Sequence, residues 1–167
     1  SYVFQSYEVD GPSMEPTLQT KDRLIVWKAG KTWSKITKEP YVPERGMVVV
    51  FIKRGLFDFN TDQEKQLIKR VIGVPGDRIV VNNGEITIYN SEYPKGFNPD
   101  KTLDYGEELD QKADGNIDIN IGAGEVFVVG DNRNNSLDSR SFGAIPAADI
   151  VGTLSSRILP ISEIKKF

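Results

Sequence analysis

The chain has 167 residues, of which 38% are hydrophobic and 27% are charged, and its formal net charge is −3. This composition predicts a globular domain rather than a disordered or membrane-embedded chain, and the charge gives no general case for nucleic acid as a partner. The chain contains no Cys and no His, which excludes a disulfide framework, a thiol nucleophile, a Ser-His-Asp triad and a zinc site with His or Cys ligands. The base of any hydrolase with a side-chain nucleophile must then be Lys or a carboxylate.

Short runs rich in Val and Ile, bounded by Gly, Pro and Asp, predict a mainly β fold of antiparallel sheet with little helix. The predicted strands are residues 24–27, 47–52, 67–74, 78–81, 85–89, 126–129 and 153–159. Asn82-Asn83-Gly84 predicts a hairpin turn between two of them, and residues 61–66 and 146–150 are each expected to hold a turn or two of helix. The longest apolar run has six residues, 47–52, against the ~20 needed for a transmembrane helix.

The composition shifts between about residues 90 and 124, since residues 92–118 contain eight acidic and three basic side chains. We expect one discontinuous domain formed by residues 1–81 and 125–167, with residues 82–124 as an inserted, β-containing acidic subdomain or long loop. Residues 110–121 superficially resemble a calcium loop, but Lys112 and Ile121 stand where a ligand and a Glu are needed. A solvated loop without metal is therefore the favoured interpretation.

Ser13 lies between Pro12 and Pro16, and Gly11 comes two residues before it. Pro12 fixes φ and Gly11 permits a close approach of another backbone. Such a turn can hold a hydroxyl and its own N–H in fixed geometry, as an acyl-transfer nucleophile requires. An ordinary Pro-Gly-Ser turn is the alternative.

Lys69 shares a strand face with Leu67 and Val71 in the segment from residue 66 to residue 77. Apolar neighbours favour desolvation of the amine, which lowers the pKa of a lysine. A neutral Lys69 amine can accept a proton from a Ser hydroxyl near neutral pH. A basic pair with Arg70 on an exposed strand is the alternative.

Residues 130–143 are polar enough for a solvated loop, but their Asp, Asn, Arg and Ser side chains can also build a closed hydrogen-bond network. Asp138 and Arg140 are candidates for an ion pair that holds the loop. Ser136 is a candidate hydrogen-bond partner that orients the Lys69 amine.

Residues 11–18, 44–51, 69–77 and 130–143 together resemble the bacterial type I signal peptidases. These are membrane-bound serine proteases that cut signal peptides from exported proteins, and the four segments occur in the order found in the family. The resemblance implies Ser13 as nucleophile, Lys69 as general base and Ser136 as the residue that orients Lys69. It also implies a structural Asp138–Arg140 ion pair, the backbone N–H of Ser13 as an oxyanion donor, and no metal or cofactor.

The sequence departs from the family pattern at two positions. Some members carry a hydroxyl side chain two residues before the nucleophile, where this chain has Gly11. That contribution to the oxyanion site is therefore absent. Many members have Asp after an Arg-Gly pair, where this chain has Met47, a position outside the catalytic pair.

The family's substrates are preproteins with small residues at the first and third positions before the cut, typically Ala-x-Ala. Shallow apolar pockets reject larger side chains by overlap, and the substrate is expected to lie extended between residues 9–11 and 66–68. The residues that match this substrate-binding region are Val9, Asp10, Gly11, Met14, Leu18, Leu24, Val50, Leu67 and Ile68. For each apolar member, plain core packing is the alternative.

Family members carry one or two transmembrane helices just before the nucleophile segment. Because none is present here, the resemblance predicts a soluble catalytic fragment that acts on the extracytoplasmic side of the cell membrane. Residues 27–38 interleave Trp27 and Trp33 with four lysines, a composition that suits the surface of an anionic membrane. Phe57 and Phe59 are expected to add to this lipid contact, and a solvated loop is the alternative.

Two other classes of protein fit the sequence less well. Self-cleaving transcriptional repressors also use a Ser-Lys pair, but they need an Ala-Gly cleavage site upstream of the serine. Only twelve residues precede Ser13 and none is Ala. A non-enzymatic β-rich binding domain would leave Ser13, Lys69 and the 130–143 loop unexplained as a set.

Overall fold

The computed structural model describes residues 3–28, 41–58, 62–109, 113–160, 162 and 164–167. Their strands are β1 (Phe4–Glu8), β2 (Arg23–Trp27), β3 (Val48–Phe57), β4 (Glu64–Gly73), β5 (Arg78–Asn82), β6 (Glu85–Tyr89), β7 (Ile117–Asn120), β8 (Glu125–Val129), β9 (Ile145–Pro146), β10 (Ile150–Leu159) and β11 (Lys165–Lys166).

The strands of the described residues form two sheets, and all neighbouring pairs are antiparallel. The main sheet has the order β1-β2-β10-β3-β4-β8-β9, with β11 added at β10. The second sheet has the order β6-β5-β7. The prediction of a mainly β, antiparallel fold with little helix is confirmed.

The β5–β6 hairpin has the turn that its sequence predicts. Asn82 pairs with Glu85, and the two residues between them, Asn83 and Gly84, both have positive φ, 51° and 82°. Positive φ at both central residues is the type I′ geometry that matches the twist of the flanking strands. Asn and Gly adopt this conformation at low cost.

Helix is confined to short pieces in the described residues. They are α-helices at Pro99–Thr102 and Ser139–Phe142 and 3₁₀ helices at Asp104–Glu108 and Ala147–Asp149. The 3₁₀ helix at Ala147–Asp149 lies where a turn of helix was predicted. The prediction of helix over 61–66 is wrong for residues 64–66, which begin β4 and pair with β3, and residue 61 lies outside the described residues.

One apolar cluster joins the two sheets. Ile72, Phe127 and Val129 contribute from the main sheet, while Ile79 and Ile88 contribute from the second. All of these side chains are fully buried. The second sheet starts with β5 at residue 78, within the first part of the predicted discontinuous domain, and the division of the chain at residues 82 and 124 stays a prediction.

Within the described ranges, no helix has the length and apolar character needed to cross a membrane.

Candidate active site

Ser13 lies on a tight turn between β1 and β2. Gly11 has φ of +91°, a backbone conformation that residues other than Gly rarely adopt. The Glu15 N–H donates to Pro12 O at 3.0 Å and the Leu18 N–H donates to Met14 O at 2.9 Å. Met14 and Leu18 are fully buried, so the turn is anchored in the core directly after its serine.

Lys69 lies on β4 opposite Val49 of β3 and is only 3% exposed. Its Nζ atom lies 2.8 Å from Ser13 Oγ and 2.8 Å from Ile68 O, and donates to both. The structure therefore brings together two residues that are 56 positions apart in the chain.

The environment of the Lys69 amine favours its neutral form. Burial lowers its pKa from 10.5 to about 8, against the opposing effect of the Asp138 and Asp131 carboxylates. Near neutral pH a fraction of the Lys69 amines is therefore unprotonated. An unprotonated amine at 2.8 Å can accept the proton of the Ser13 hydroxyl.

The segment after β8 holds the Ser13 turn by its backbone. The Asn132 N–H donates to Ser13 O, and Asn132 Nδ2 donates to Pro12 O, both at 3.1 Å. The segment that follows β8 and contains Gly130 and Asp131 thus fixes the backbone of Ser13 by hydrogen bonds.

Asp131 is a buried carboxylate that joins three parts of the site. It accepts hydrogen bonds from Thr17 Oγ1 at 2.5 Å and from Arg70 Nη2 at 2.6 Å and Nε at 2.9 Å. Charge-assisted, two-point contacts of this kind fix geometry strongly. The sequence reasoning did not single out Asp131, Arg70 or Thr17. Local features indicate two of these residues. Arg70 is a charged residue next to the candidate base Lys69, and Asp131 comes shortly after the buried strand β8.

Ser136 lies against Gly130. A Cβ atom on Gly130 would overlap Ser136 Oγ and would lie 2.5 Å from Ser13 O, so only glycine fits between these groups. Ser136 Oγ is buried and meets the geometry of a hydrogen bond with none of the described residues, although it lies close enough to the Asp138 carboxylate to help lower the pKa of that group. The structure therefore places Ser136 beside the Ser13 backbone but does not form the expected hydrogen bond from Ser136 to Lys69.

Asp138 and Arg140 form a buried ion pair. Asp138 accepts from Arg140 Nε at 2.9 Å and Nη2 at 2.8 Å, and from the Gly130 N–H at 3.0 Å. Burial alone would raise the pKa of the Asp138 carboxyl, but the hydrogen bonds and charge of Arg140 hold it below its ordinary value. Asp138 also caps the helix at Ser139–Phe142, which fixes the end of the loop.

Most of the proposed substrate-binding residues lie in the apolar core beside the Ser13 turn. One cluster contains the buried Val9, Met14, Leu18 and Leu24, with Ile68 packed against it. These side chains therefore pack in the core, which is the alternative to substrate binding given for the apolar members of this set.

The remaining members of that set are distributed differently. Val50 belongs to a neighbouring cluster that Ile68 also contacts, whereas Leu67 packs on a separate cluster with Phe51. Asp10 is exposed and Gly11 is half-buried.

The acidic stretch and the Trp-Lys segment are described only in part. Among the described residues, no group of three or more acidic side chains is placed to hold a metal ion, and residues 110–112 lie outside that range. Trp27 is 44% exposed and Phe57 is 52% exposed. Trp33 and Phe59 lie outside the described residues.

Comparison with known proteins gives a consistent set of relatives. A family profile described as signal peptidase, peptidase S26, matches residues 1–159. Signal peptidase I U of Bacillus subtilis (strain 168) is 29% identical over 98% of this chain and 80% of its own length. Signal peptidase IB of Staphylococcus aureus (strain COL) is 31% identical over 98% of this chain and 82% of its own length. A solved structure of a signal peptidase I from Enterococcus faecalis V583 matches 69% of this chain and 98% of that chain, with 21% identity and a TM-score of 0.48.

Proposed function

The chain belongs to the signal peptidase family, peptidase S26, and on that premise we propose that Ser13 is its nucleophile and Lys69 its general base. Membership makes the protein a serine endopeptidase with signal peptidase I function. The observation that carries the assignment of the two residues is the 2.8 Å contact between Lys69 Nζ and Ser13 Oγ, made by a buried lysine.

In the proposed reaction, the neutral Lys69 amine accepts the Ser13 proton as Ser13 Oγ attacks the scissile carbonyl carbon. The negative charge on the carbonyl oxygen is stabilised by the backbone N–H of Ser13. The peptide C–N bond then breaks, Lys69 returns the proton to the leaving amine, and the acyl group remains as an ester on Ser13. Lys69 next deprotonates a water molecule that attacks this ester, and the proton finally returns to Ser13 Oγ.

The proposed role of Ser136 is to orient the Lys69 amine during turnover. Its buried Oγ makes no hydrogen bond of good geometry with the described residues and lies close to the Asp138 carboxylate, and a side-chain rotation is proposed to bring the hydroxyl to the amine. The Asp138–Arg140 pair supports the same loop through Gly130. Ser136→Ala should slow turnover without unfolding the domain, and full activity of that variant would remove Ser136 from the site.

The proposed substrates are preproteins with small side chains at the first and third positions before the cut. An extended peptide is proposed to lie between residues 9–11 and 66–68. The cluster of Val9, Met14, Leu18, Leu24 and Ile68 gives this region an apolar floor. Tight packing of the buried members leaves little room for a large side chain, which fits an Ala-x-Ala preference.

The test is cleavage of a peptide that contains one Ala-x-Ala site, with the cut located by mass spectrometry. We expect cleavage after the second Ala, lost in Ser13→Ala and in Lys69→Ala. Ser91→Ala and Lys95→Ala, at exposed positions of the same residue types, should cleave like the parent chain. Activity retained in either of the first two variants would contradict the assignment of that residue.

The same assay gives a pH dependence with a definite sign. Lys69 must be neutral to act, and its pKa is lowered to about 8. The rate should therefore fall below about pH 8, tenfold for each further unit of acidity. A flat rate from mildly acidic to alkaline pH would contradict Lys69 as the base.

We also propose that the region around Trp27 binds an anionic lipid surface on the extracytoplasmic side of the cell membrane. Trp27 pairs across the sheet with the exposed Phe4, so two aromatic side chains lie at one end of the β1–β2 pair. Replacing both Trp27 and Trp33 by Ala should weaken binding to anionic liposomes. The control is Tyr93→Ala, at an exposed position that follows β6 of the second sheet. Unchanged binding after the double replacement would contradict the proposal.

A further inference from the structure

The acidic stretch contains a short folded segment that reaches toward the active-site loop. This segment, residues 99–108, consists of the α-helix at Pro99–Thr102 and the 3₁₀ helix at Asp104–Glu108. Asn98 caps its first helix by accepting from the Asp100 N–H at 2.9 Å. Nothing in the proposed reaction uses this segment, although it presents one carboxylate, that of Asp100, to the loop at 130–136.

Arg133 connects Asp100 to the active-site loop. Both terminal nitrogens of its guanidinium donate to the Asp100 carboxylate, with Nη2 lying 2.7 Å from Oδ1. Its Nε donates to Gly130 O at 3.2 Å. The Arg133 side chain is 0% exposed, and although burial disfavours its charge, Asp100 holds the pKa of Arg133 above its ordinary value.

Tyr105 forms a second connection between the same segment and the site. Its hydroxyl donates to Asp100 Oδ1 at 2.9 Å, and the Arg70 guanidinium lies 4.4 Å from its ring centroid. Arg70 in turn bonds to Asp131, next to Gly130. Burial raises the pKa of the Tyr105 hydroxyl, so this group remains a donor across the working pH range.

The position of Asp100 is fixed by close packing within the segment. Gly106 lies so near the Asp100 carbonyl that a Cβ atom would overlap it. The 3₁₀ helix is therefore folded directly onto the preceding helix, and the Asp100 carboxylate has little freedom to move away from Arg133.

We propose that Asp100 is a positioning residue for the Ser13–Lys69 pair, acting through Arg133 and Gly130; the inference rests on the proposed function of that pair. Gly130 lies against Ser136 Oγ and Ser13 O, and the following residues hold Ser13 by its backbone carbonyl. Without the Asp100 carboxylate, a buried guanidinium loses the negative charge that it is hydrogen-bonded to and keeps only the weaker effect of Asp131. The loss of a buried partner of this kind is a strong driving force for local rearrangement. A displacement of about 1 Å at the reacting groups is enough to cost about a hundredfold in rate.

The test compares Asp100→Asn with Glu85→Gln in the peptide assay. Glu85 makes an exposed ion pair with Lys101 of the same segment, so both changes turn a paired carboxylate into an amide, but only one affects Arg133. We expect kcat to fall by about tenfold to a hundredfold in Asp100→Asn with KM little changed, and Glu85→Gln to match the parent chain. Asp100→Glu should recover part of the loss because it restores the charge.

The pH profile separates positioning from a merely structural role. Loosening the loop admits water to Lys69, and since burial is the main cause of its lowered pKa, the acid limb of the profile should move to higher pH in Asp100→Asn. An unmoved limb with kcat equal to the parent overturns the inference. So does a loss of rate that equals the unfolded fraction measured by circular dichroism at the assay temperature.

If Asp100→Asn does not fold, Tyr105→Phe decides, because it removes only the hydroxyl that orients Asp100. A smaller fall in kcat with the same direction of pH shift supports the inference, and a profile identical to the parent overturns it. Ser13→Ala is assayed alongside. Full activity in Ser13→Ala would refute the proposed function itself, whereas its inactivity beside a fully active Asp100→Asn would refute only the role of Asp100.

Discussion

The burial of Lys69 favours its proposed role as a base but lowers the stability of the fold, because the protonated amine is costly to bury. The unfolded chain holds this lysine at an ordinary pKa near 10.5, whereas the folded chain holds it at about 8. Between these values the unfolded state binds a proton that the native state does not, so this group makes stability rise with pH from 8 to 10.5. Below pH 8 the penalty is fully present, at about 3 kcal/mol.

Lys69→Met should therefore be inactive but more stable than the parent chain at pH 7. Met has a similar length and no charge to desolvate. The loss of the hydrogen bond to Ser13 reduces the resulting gain in stability by about 1 kcal/mol. We expect the free energy of unfolding to rise by about 2 kcal/mol at pH 7. The difference should fall to zero at about pH 10, where the charge penalty equals the value of the lost hydrogen bond, and the parent should be the more stable chain above that pH. Urea denaturation at several pH values measures this, with the exposed Lys95→Met as control. A variant less stable than the parent at pH 7 would contradict the burial argument.

At the scale of elements, the end of β4 carries the chain from the main sheet to the second one. Asp77 closes this turn by accepting from the Val74 N–H at 2.8 Å and from Arg45 Nη1 at 2.6 Å. It also accepts from Nδ2 of Asn90, the residue directly after β6 of the second sheet, at 2.9 Å. Burial would raise the pKa of Asp77, but Arg45 and the other donors hold it below the ordinary value.

Asp77→Asn should lower the free energy of unfolding at pH 7 by about 2 kcal/mol, since it removes charge-assisted hydrogen bonds. The native pKa is lowered, so the contribution of the carboxylate is present above its unfolded pKa and is lost as pH falls through the native value. The difference between parent and variant should accordingly shrink below about pH 4. Denaturant titrations at both pH values measure it. Asp118→Asn, which breaks an exposed pair with Arg78, should have almost no effect, and an equal loss there would contradict the assignment.

At the scale of the whole molecule, the shared apolar cluster makes the two sheets depend on each other. Phe127 of β8 is fully buried between them. Gly73 lies so close that a Cβ there would be 3.0 Å from Phe127 Cβ and 2.8 Å from Ile79 Cδ1. Packing of this density transmits the loss of one side chain to its neighbours.

Phe127→Ala should cost about 3–5 kcal/mol, the usual range for a large cavity in a core. Amide hydrogen exchange should lose protection in β5 and β6 as well as in β2 and β10, because the cluster belongs to both sheets. Phe57→Ala, at an exposed position, serves as the control. Loss of protection confined to one sheet would show that the sheets unfold independently.

Local sequence signals predict much of this molecule, because many strands are short apolar runs between turn residues. The Asn83-Gly84 hairpin follows directly from its backbone preferences. β1 was not predicted because its side chains are mostly exposed and polar, so it lacks an apolar pattern. The prediction of helix over residues 64–66 is wrong because their polar composition does not reveal the pairing with β3 that makes them strand.

The same limit applies to the site. Ser13 and Lys69 are recognisable as candidates because each stands in an unusual local context, a Gly-Pro turn and an apolar strand face. The bond from Arg133 to Asp100 joins residues 33 positions apart, and neither local sequence indicates a partner. The absent hydrogen bond between Ser136 and Lys69 is likewise a matter of tertiary distance, which spacing along the chain does not determine.

The distance along the chain between Ser13 and Lys69 has a further consequence for when the enzyme can act. Under the proposed mechanism, the serine has no base until β4 has joined its sheet, and the lysine amine stays protonated until the core has closed around it. A nascent or partly folded copy therefore carries every atom of the catalytic pair and yet remains a harmless polypeptide. Proteolytic activity therefore requires both the contact between the two residues and the burial of the lysine, so folding performs the task that a removable inhibitory propeptide performs in other proteases.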